Sequence, residues 1–367
     1  MGGENTQAVD HHFMAMALSL GRRGQGRTWP NPAVGCVIVQ DKIVVGQGWT
    51  QPGGRPHAET EALKQAGDRA AGATAYVTLE PCAHHGKTPP CSDALIKAGI
   101  SRVVMACQDP DPRVDGRGIA TLQAAGIDLT IGVGEAAAMA DLNGFMMSRQ
   151  EGRPAFTWKV ASSLDARIAL GNGDSQWITG ETARRLGHGL RVTHDAILIG
   201  RGTALTDNPL LNTRLPGCSE RSPVRVVLDT YVKTPLTSQL AQTAKDIPLW
   251  LVCQDQAAEA SRIEAWQATG ADVLALADMA PLTIAQALGA RGVTTVLIEG
   301  GAQVAGSFMK TGLIDRVEWF RGGQVLGGDG LPALGDQALA QLSDARQYRC
   351  ESIRPLGSDR WERYVAV

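Results

Sequence analysis

Several common signals are missing from this 367-residue chain. There is no basic excess: 35 Lys and Arg stand against 37 Asp and Glu, a formal net charge of −2. A nucleic-acid surface would show a cationic surplus, so no nucleic-acid partner is expected. No apolar run approaches the roughly 20 residues that span a bilayer, and no N-terminal run resembles a signal peptide. A cytoplasmic protein with no membrane partner is the expectation. A disulfide framework is missing too, because the seven cysteines are odd in number and scattered, and a reducing compartment suits free thiols. The G-x-G-x-x-G fingerprint is absent, so a Rossmann dinucleotide fold is not supported. No internal repeat relates the two halves.

What is present is an ordinary soluble composition, 44% hydrophobic and 20% charged, long enough for two domains. The first half alternates helices and strands. HHFMAMALSL reads as a helix capped by Asp10, and AVGCVIV with KIVVGQG reads as a hairpin turning at Gln40–Asp41. A helix is expected from His57 to about Ala70, and EAAAMADLNGFMMSRQ reads as one closing helix. Gly152 and Pro154 in QEGRP then break the pattern, placing a boundary between domains 1–150 and 151–367. A fresh α/β series follows. Its segment from Thr203 to Ser222 has no clear periodicity and reads as a long loop, of the kind that usually carries function.

The chemistry concentrates in two phrases, PHAE and EPCAHHGKTPPC, which hold His57, Glu59, Cys82 and Cys91. One imidazole and two thiolates supply three ligands for tetrahedral Zn2+ and leave the fourth corner for water. Glu59 is then free to move protons between that water and an amino-bearing ring. The alternative is a structural zinc knob, which would need a fourth ligand from His84 or His85. The ligands fall at helix starts, His57 after Pro56 and Cys91 after Pro90, where a thiolate is stabilised. Cys36 and Cys107 lie in apolar runs and read as buried strand residues.

With N31-P-A-V-G35, H57-A-E59 and T78-L-E-P-C-A-H-H-G-K-T-P-P-C91, the sequence closely resembles the bifunctional deaminase–reductases of riboflavin biosynthesis. The eight residues between Cys82 and Cys91 separate it from cytidine and tRNA deaminases, which usually place two there. A nucleoside or tRNA deaminase with an appended binding domain is the runner-up, and an idle zinc scaffold a third reading that has no use for Glu59. The resemblance implies a cytidine-deaminase-like α/β/α domain followed by a dihydrofolate-reductase-like α/β domain. It implies small phosphoribosylated pyrimidine substrates and a homo-oligomer, dimer or tetramer. It places Asn31, His84 and Lys87 in the first substrate pocket, with a tight turn as the ordinary role of Asn31 and solvation that of Lys87.

The second half carries K159-V-A-S-S-L-D165, S175-Q-W-I-T179, the stretch G200 to N212 and I298-E-G-G-A-Q-V-A305. On its own, the last phrase is a strand, a glycine turn and a helix start, which offers amides to a phosphate or is simply a tight turn. By resemblance, NADPH meets Ala161, Trp177, Thr203, Asp207, Thr230 and the run Gly301, Ala302, Gln303, Val304, Ala305, Gly306 and Ser307. Substrate then meets Ser175, Arg191, Leu211, Arg214 and Glu299, with Lys159 and Glu299 catalytic. Guanidinium forks suit phosphate oxygens, although most arginines are solvated. Lys159 in an apolar strand needs a partner, and Asp165 or Glu299 would serve. Trp177 would ordinarily be core. The chain departs from the family at S163-L-D-A166, where Gly is usual in the last place, so a left-handed backbone there would strain alanine.

Overall fold

Residues 2–83, 89–111 and 114–367 are described by a computed structural model, in which the chain divides into units Met1–Gly152 and Arg153–Val367. In the first unit, β1 (Gly35–Gln40), β2 (Ile43–Trp49), β3 (Thr74–Val77), β4 (Arg102–Met105) and β5 (Asp128–Ile131) form one sheet. Its order is β2-β1-β3-β4-β5. The β1 strand runs antiparallel to β2 and β3, while β3, β4 and β5 are parallel. Helices are α1 (Gly2–Gly21), α2 (Ala58–Ala66), α3 (Cys91–Lys97), α4 (Arg117–Ala124), α5 (Glu135–Asp141) and α6 (Asn143–Gln150). The hairpin turn lies one residue later than expected, at Asp41 and Lys42, both with positive φ as a tight hairpin turn needs.

Two glycines explain the layering. A Cβ on Gly35 would collide with the Ala17 carbonyl of α1, and one on Gly48 with the Ala58 carbonyl of α2. Gly48 pairs with Cys36, the neighbour of Gly35, so the two close approaches lie on opposite faces of the sheet. Helices therefore cover both sides, and Cys36, Val37, Ile38, Ala75, Val103 and Met105 are buried between them. Asp10 is not a cap: it sits inside α1, buried, where Arg102 and Tyr76 donate to its carboxylate at 2.8–2.9 Å. The closing helix is two helices that break at Leu142, whose φ/ψ of −99°/5° leaves the helical region.

The second unit is built on a nine-stranded sheet. Its strands are β6 (Ala155–Ser162), β8 (Ala196–Gly200), β9 (Val224–Leu228), β10 (Leu249–Gln254), β11 (Asp272–Leu276), β12 (Thr295–Glu299), β13 (Arg316–Arg321), β15 (Tyr348–Leu356) and β16 (Asp359–Ala366). A short pair, β7 (Arg167–Ala169) and β14 (Leu331–Pro332), stands apart. The order is β11-β10-β9-β8-β12-β6-β13-β16-β15, parallel from β11 to β13 and antiparallel beyond. Helices α7 (Glu181–Thr193), α8 (Arg201–Asp207), α9 (Gln239–Gln242), α10 (Ala260–Ala268), α11 (Pro281–Ala290) and α12 (Ala302–Lys310) connect them. The presumed loop from Thr203 thus begins inside α8, a helix that its sequence, with Gly202 in the first turn, conceals.

Ala166 adopts φ +60°, the left-handed conformation that alanine tolerates poorly, in a turn closed by its N–H on the Ser163 carbonyl at 3.1 Å. Relief of that strain outweighs the extra freedom glycine has when unfolded. Ala166→Gly should therefore stabilise the second unit by about 0.5–1 kcal/mol, raising its melting temperature by roughly 1–4 °C. Scanning calorimetry of both proteins checks this, and an unchanged or lower transition would show that the turn is not strained.

Candidate functional sites

In the first unit the turn after Pro56 ends with His57 as the N-cap of α2, which puts Glu59 in the first helical turn. Cys91 is the first residue of α3, and Cys82 lies in the segment leaving β3. The His57 Nδ1 is 3.3 Å from Cys91 Sγ and 3.7 Å from Cys82 Sγ. One ligand atom from each of the three lies within 4.8 Å of the others. Tetrahedral zinc with bonds of about 2.0–2.3 Å would hold such atoms roughly 3.5–3.8 Å apart, so the donor set fits that ion. The backbone N–H of Cys91 points at Cys82 Sγ at 3.4 Å. Hydrogen bonding from Cys91 and His57 draws the Cys82 thiol well below its usual range, while Cys91, sharing that bond, is pushed up.

Glu59 is only 4% exposed. Burial, reinforced by the Cys82 thiolate and opposed by His57, pushes its carboxyl up to about 7. The group is thus poised to exchange a proton near neutrality. Asn31 donates to the Gly54 carbonyl at 3.1 Å, so its amide is tied to the segment before α2. His84 and Lys87 lie outside the described residues.

Glu80, two residues before Cys82, was not singled out by the sequence reading. Its buried carboxylate accepts four backbone N–H groups, from Asp109, Gly116, Gly118 and Ile119 at 2.9–3.3 Å. It thereby ties the turn before α4 to the zinc-ligand segment. A buried acid at the end of an apolar strand was the available signal, because such a charge must find donors.

In the second unit a cleft of about 810 Å³ opens at the C-terminal ends of the parallel strands, where open α/β sheets bind ligands. It is lined by Lys159, Ala161, Ser175, Trp177, Thr203, Asp207 and Thr230, and by Gly301, Ala302, Gln303 and Val304. Ala305, Gly306 and Ser307 lie further along α12 and are not among the lining residues, and Ala305 and Gly306 are buried. Trp177 is not core: it is 60% exposed, with the Arg184 guanidinium 4.4 Å from its ring centre.

Beside this cleft, strand register brings two opposite charges together. Glu299 on β12 pairs in register with Lys159 on β6, and Lys159 Nζ is 3.8 Å from a Glu299 oxygen. Arg191 of α7 grips the same carboxylate with two bonds of 2.7 and 2.8 Å and donates to the Asn212 carbonyl at 2.8 Å. Burial opposes charge on Glu299, but Arg191 and Lys159 outweigh it and hold the carboxyl down at about 2. Asp165 does not partner Lys159; it accepts from Ser163 and from the amides of Leu326 and Gly327. Leu211 is buried with φ +54°, and exposed Arg214 contacts His188.

Residues 7–107 match the cytidine and deoxycytidylate deaminase zinc-binding region, and residues 154–360 match the RibD C-terminal domain. Riboflavin biosynthesis protein RibD of Escherichia coli K12 is 39% identical, covering 95% of this chain and 97% of the relative. The RibD of Aquifex aeolicus is 37% identical, with 96% and 97% covered. Among solved structures, Acinetobacter baumannii RibD superposes with a TM-score of 0.88 at 36% identity, covering 98% of this chain and 99% of that one. A Thermotoga maritima diaminohydroxyphosphoribosylaminopyrimidine deaminase/5-amino-6-(5-phosphoribosylamino)uracil reductase gives 0.87 at 32% identity, with 99% and 100% covered. Matched in both halves and along nearly its whole length, the chain belongs to the RibD family of riboflavin biosynthesis, in which a zinc-dependent deaminase domain precedes a reductase domain.

Proposed function

We propose that the first unit removes the 2-amino group of 2,5-diamino-6-(5-phosphoribosylamino)pyrimidin-4-one and that the second reduces the ribosyl group of the resulting aminouracil to ribityl. The observation that carries the reading is a buried Glu59 beside an imidazole and two thiols in one unit, with a Lys159–Glu299–Arg191 cluster flanking a cleft in the other. Zinc held by His57, Cys82 and Cys91 would activate water, and NADPH would supply hydride. Glu59 takes a proton from the attacking water and returns it to the departing amino group. Asn31, His84 and Lys87 are proposed to position the pyrimidine and its phosphate.

In the second unit Ala161, Trp177, Thr203, Asp207, Thr230 and residues 301–307 are proposed to hold the dinucleotide. Arg201, which opens α8 and lines the same cleft, offers a guanidinium to the extra phosphate that distinguishes NADPH from NADH. Ser175, Leu211, Arg191 and Arg214 hold the substrate, and Lys159 faces the ribose oxygens, oriented by Glu299. Seven free cysteines support a cytoplasmic location. Among the described residues, no helix is long and apolar enough to cross a membrane. The nine-residue β15 at the sheet edge, with Ile353 57% exposed, supports a homo-oligomer.

A coupled assay tests the reading. With the diaminopyrimidinone, ammonia should appear without NADPH, and NADPH oxidation should begin only after ammonia release. Ammonia from cytidine or a tRNA, with none from the diaminopyrimidinone, would replace this function with the runner-up.

A further inference from the structure

His188 is a residue that neither the sequence motifs nor the reductase reading uses. It lies three residues before Arg191 on α7, which places both side chains on one face of the helix. Both of its ring nitrogens meet donors of a single residue: the Arg214 backbone N–H reaches Nδ1 at 3.3 Å and the Arg214 Nε–H reaches Nε2 at 3.2 Å. A neutral imidazole has one acceptor nitrogen and one donor. One of these two contacts therefore sets an N–H against an N–H, and the ring proton has no acceptor there.

The charges around the ring are unbalanced in the same sense. Arg191 on α7, Arg214 on the segment before β9 and Lys159 on β6 supply three cations, and the carboxylate of Glu299 on β12 opposes them. Glu299 is already gripped by Arg191 and approached by Lys159. Burial, then Arg191 and Arg214, hold the imidazole down at about 4, with Glu299 opposing and Lys159 adding to the effect, so the ring is neutral at pH 7. An anion here would neutralise Arg214 and give the ring proton an acceptor.

We propose that His188 completes the phosphate site of the reductase unit as a third ligand beside Arg191 and Arg214, and that it takes a proton from solvent as the substrate's phosphate dianion arrives. The inference rests on the reading that Arg191 and Arg214 hold that phosphate. No bond is made or broken beyond the N–H: imidazole, a solvent proton and the dianion become an imidazolium–dianion pair. A ring neutral when free and protonated when bound adds affinity at low pH, and this gain is lost as pH rises through the bound ring's pKa. The ligand's own second ionisation near pH 6 works the other way, removing the dianion at low pH. Proton counting separates the two effects better than a pH–affinity curve.

The probe is ribose 5-phosphate, titrated calorimetrically into the full-length enzyme at pH 7 in two buffers of different ionisation enthalpy. Arg214→Ala identifies the component of binding that belongs to this site. For that component the wild type should take up about half a proton or more per phosphate bound. His188→Asn keeps an amide carbonyl for Arg214 but cannot be protonated, so the uptake should vanish and the affinity fall roughly tenfold, the loss of one charge-assisted bond. A merely structural histidine would change affinity without changing the proton count. No uptake by the wild type, or the same uptake in His188→Asn, overturns the role of His188 while leaving the phosphate site standing. Binding that Arg214→Ala does not weaken overturns the phosphate site, and the proposal with it.

Discussion

Glu59→Gln should leave the chain with one zinc ion and almost no deaminase activity. Glutamine has the volume of glutamate and can occupy the same place in the first turn of α2, while His57, Cys82 and Cys91 remain to hold the metal. What disappears is the exchangeable proton. Burial is the largest influence on this carboxyl and raises it to about 7, and a general acid–base works best with a pKa near the working pH. Loss of such a group typically costs ~10²–10⁴-fold in rate. Ammonia release should therefore fall by at least ~10²-fold, with metal analysis still giving one zinc per chain and NADPH oxidation on supplied aminouracil unchanged. Cys82→Ser and Cys91→Ser should differ in kind, losing both metal and activity. Near-normal ammonia release by Glu59→Gln would remove this carboxylate from the chemistry.

The zinc cluster was legible in the sequence because its ligands are named by residue type and sit in short phrases: His57 and Glu59 share one turn, and Cys82 and Cys91 are nine positions apart. Such local spacing survives any detail of packing. Contacts made across the fold were not legible. Asp10 looked like a helix cap because a short acid precedes an apolar run, yet its partners Tyr76 and Arg102 are 66 and 92 residues away. Glu80 likewise serves amides on a segment that begins 29 residues later. Between Lys159 and Glu299 the sequence could offer only a choice of acids, since the deciding fact is the parallel register of β6 and β12. For Trp177 the residue type alone leaves core as the ordinary fate, and only the family resemblance puts it at a cofactor site; nothing local says that this ring stands at a cleft with an arginine against it. In the second half, α11 and β11 are not legible as separate elements, because short apolar stretches do not declare a period.

Lys159→Ala should abolish reduction and spare deamination. The ammonium sits on β6, between β12 and β13 in the parallel part of the sheet, with its side chain 22% exposed and bordering the cleft. Glu299 holds it from the neighbouring strand, and Arg191 keeps that carboxylate ionised, so the lysine has a fixed partner that keeps it aimed while the substrate changes. In the proposed reaction, hydride arriving at C1′ breaks the bond to the ring oxygen, negative charge develops on that oxygen, and Lys159 supplies the nearby cation and the proton it takes up. Removing a group that acts on developing charge lowers kcat and kcat/KM together, here by at least ~10²-fold, the usual cost of one such stabilising donor. Arg191→Ala should instead raise KM, because a phosphate contact supports substrate and transition state alike. Steady-state NADPH oxidation at varied aminouracil separates the two patterns, with ammonia release from the diaminopyrimidinone as the internal control. Alanine also leaves Glu299 paired to Arg191, so no buried carboxylate is stranded and the fold should survive. A Lys159→Ala enzyme that oxidises NADPH at the wild-type rate under saturating substrate would reduce this lysine to a structural ion-pair partner. The hydride acceptor would then need another source of protons.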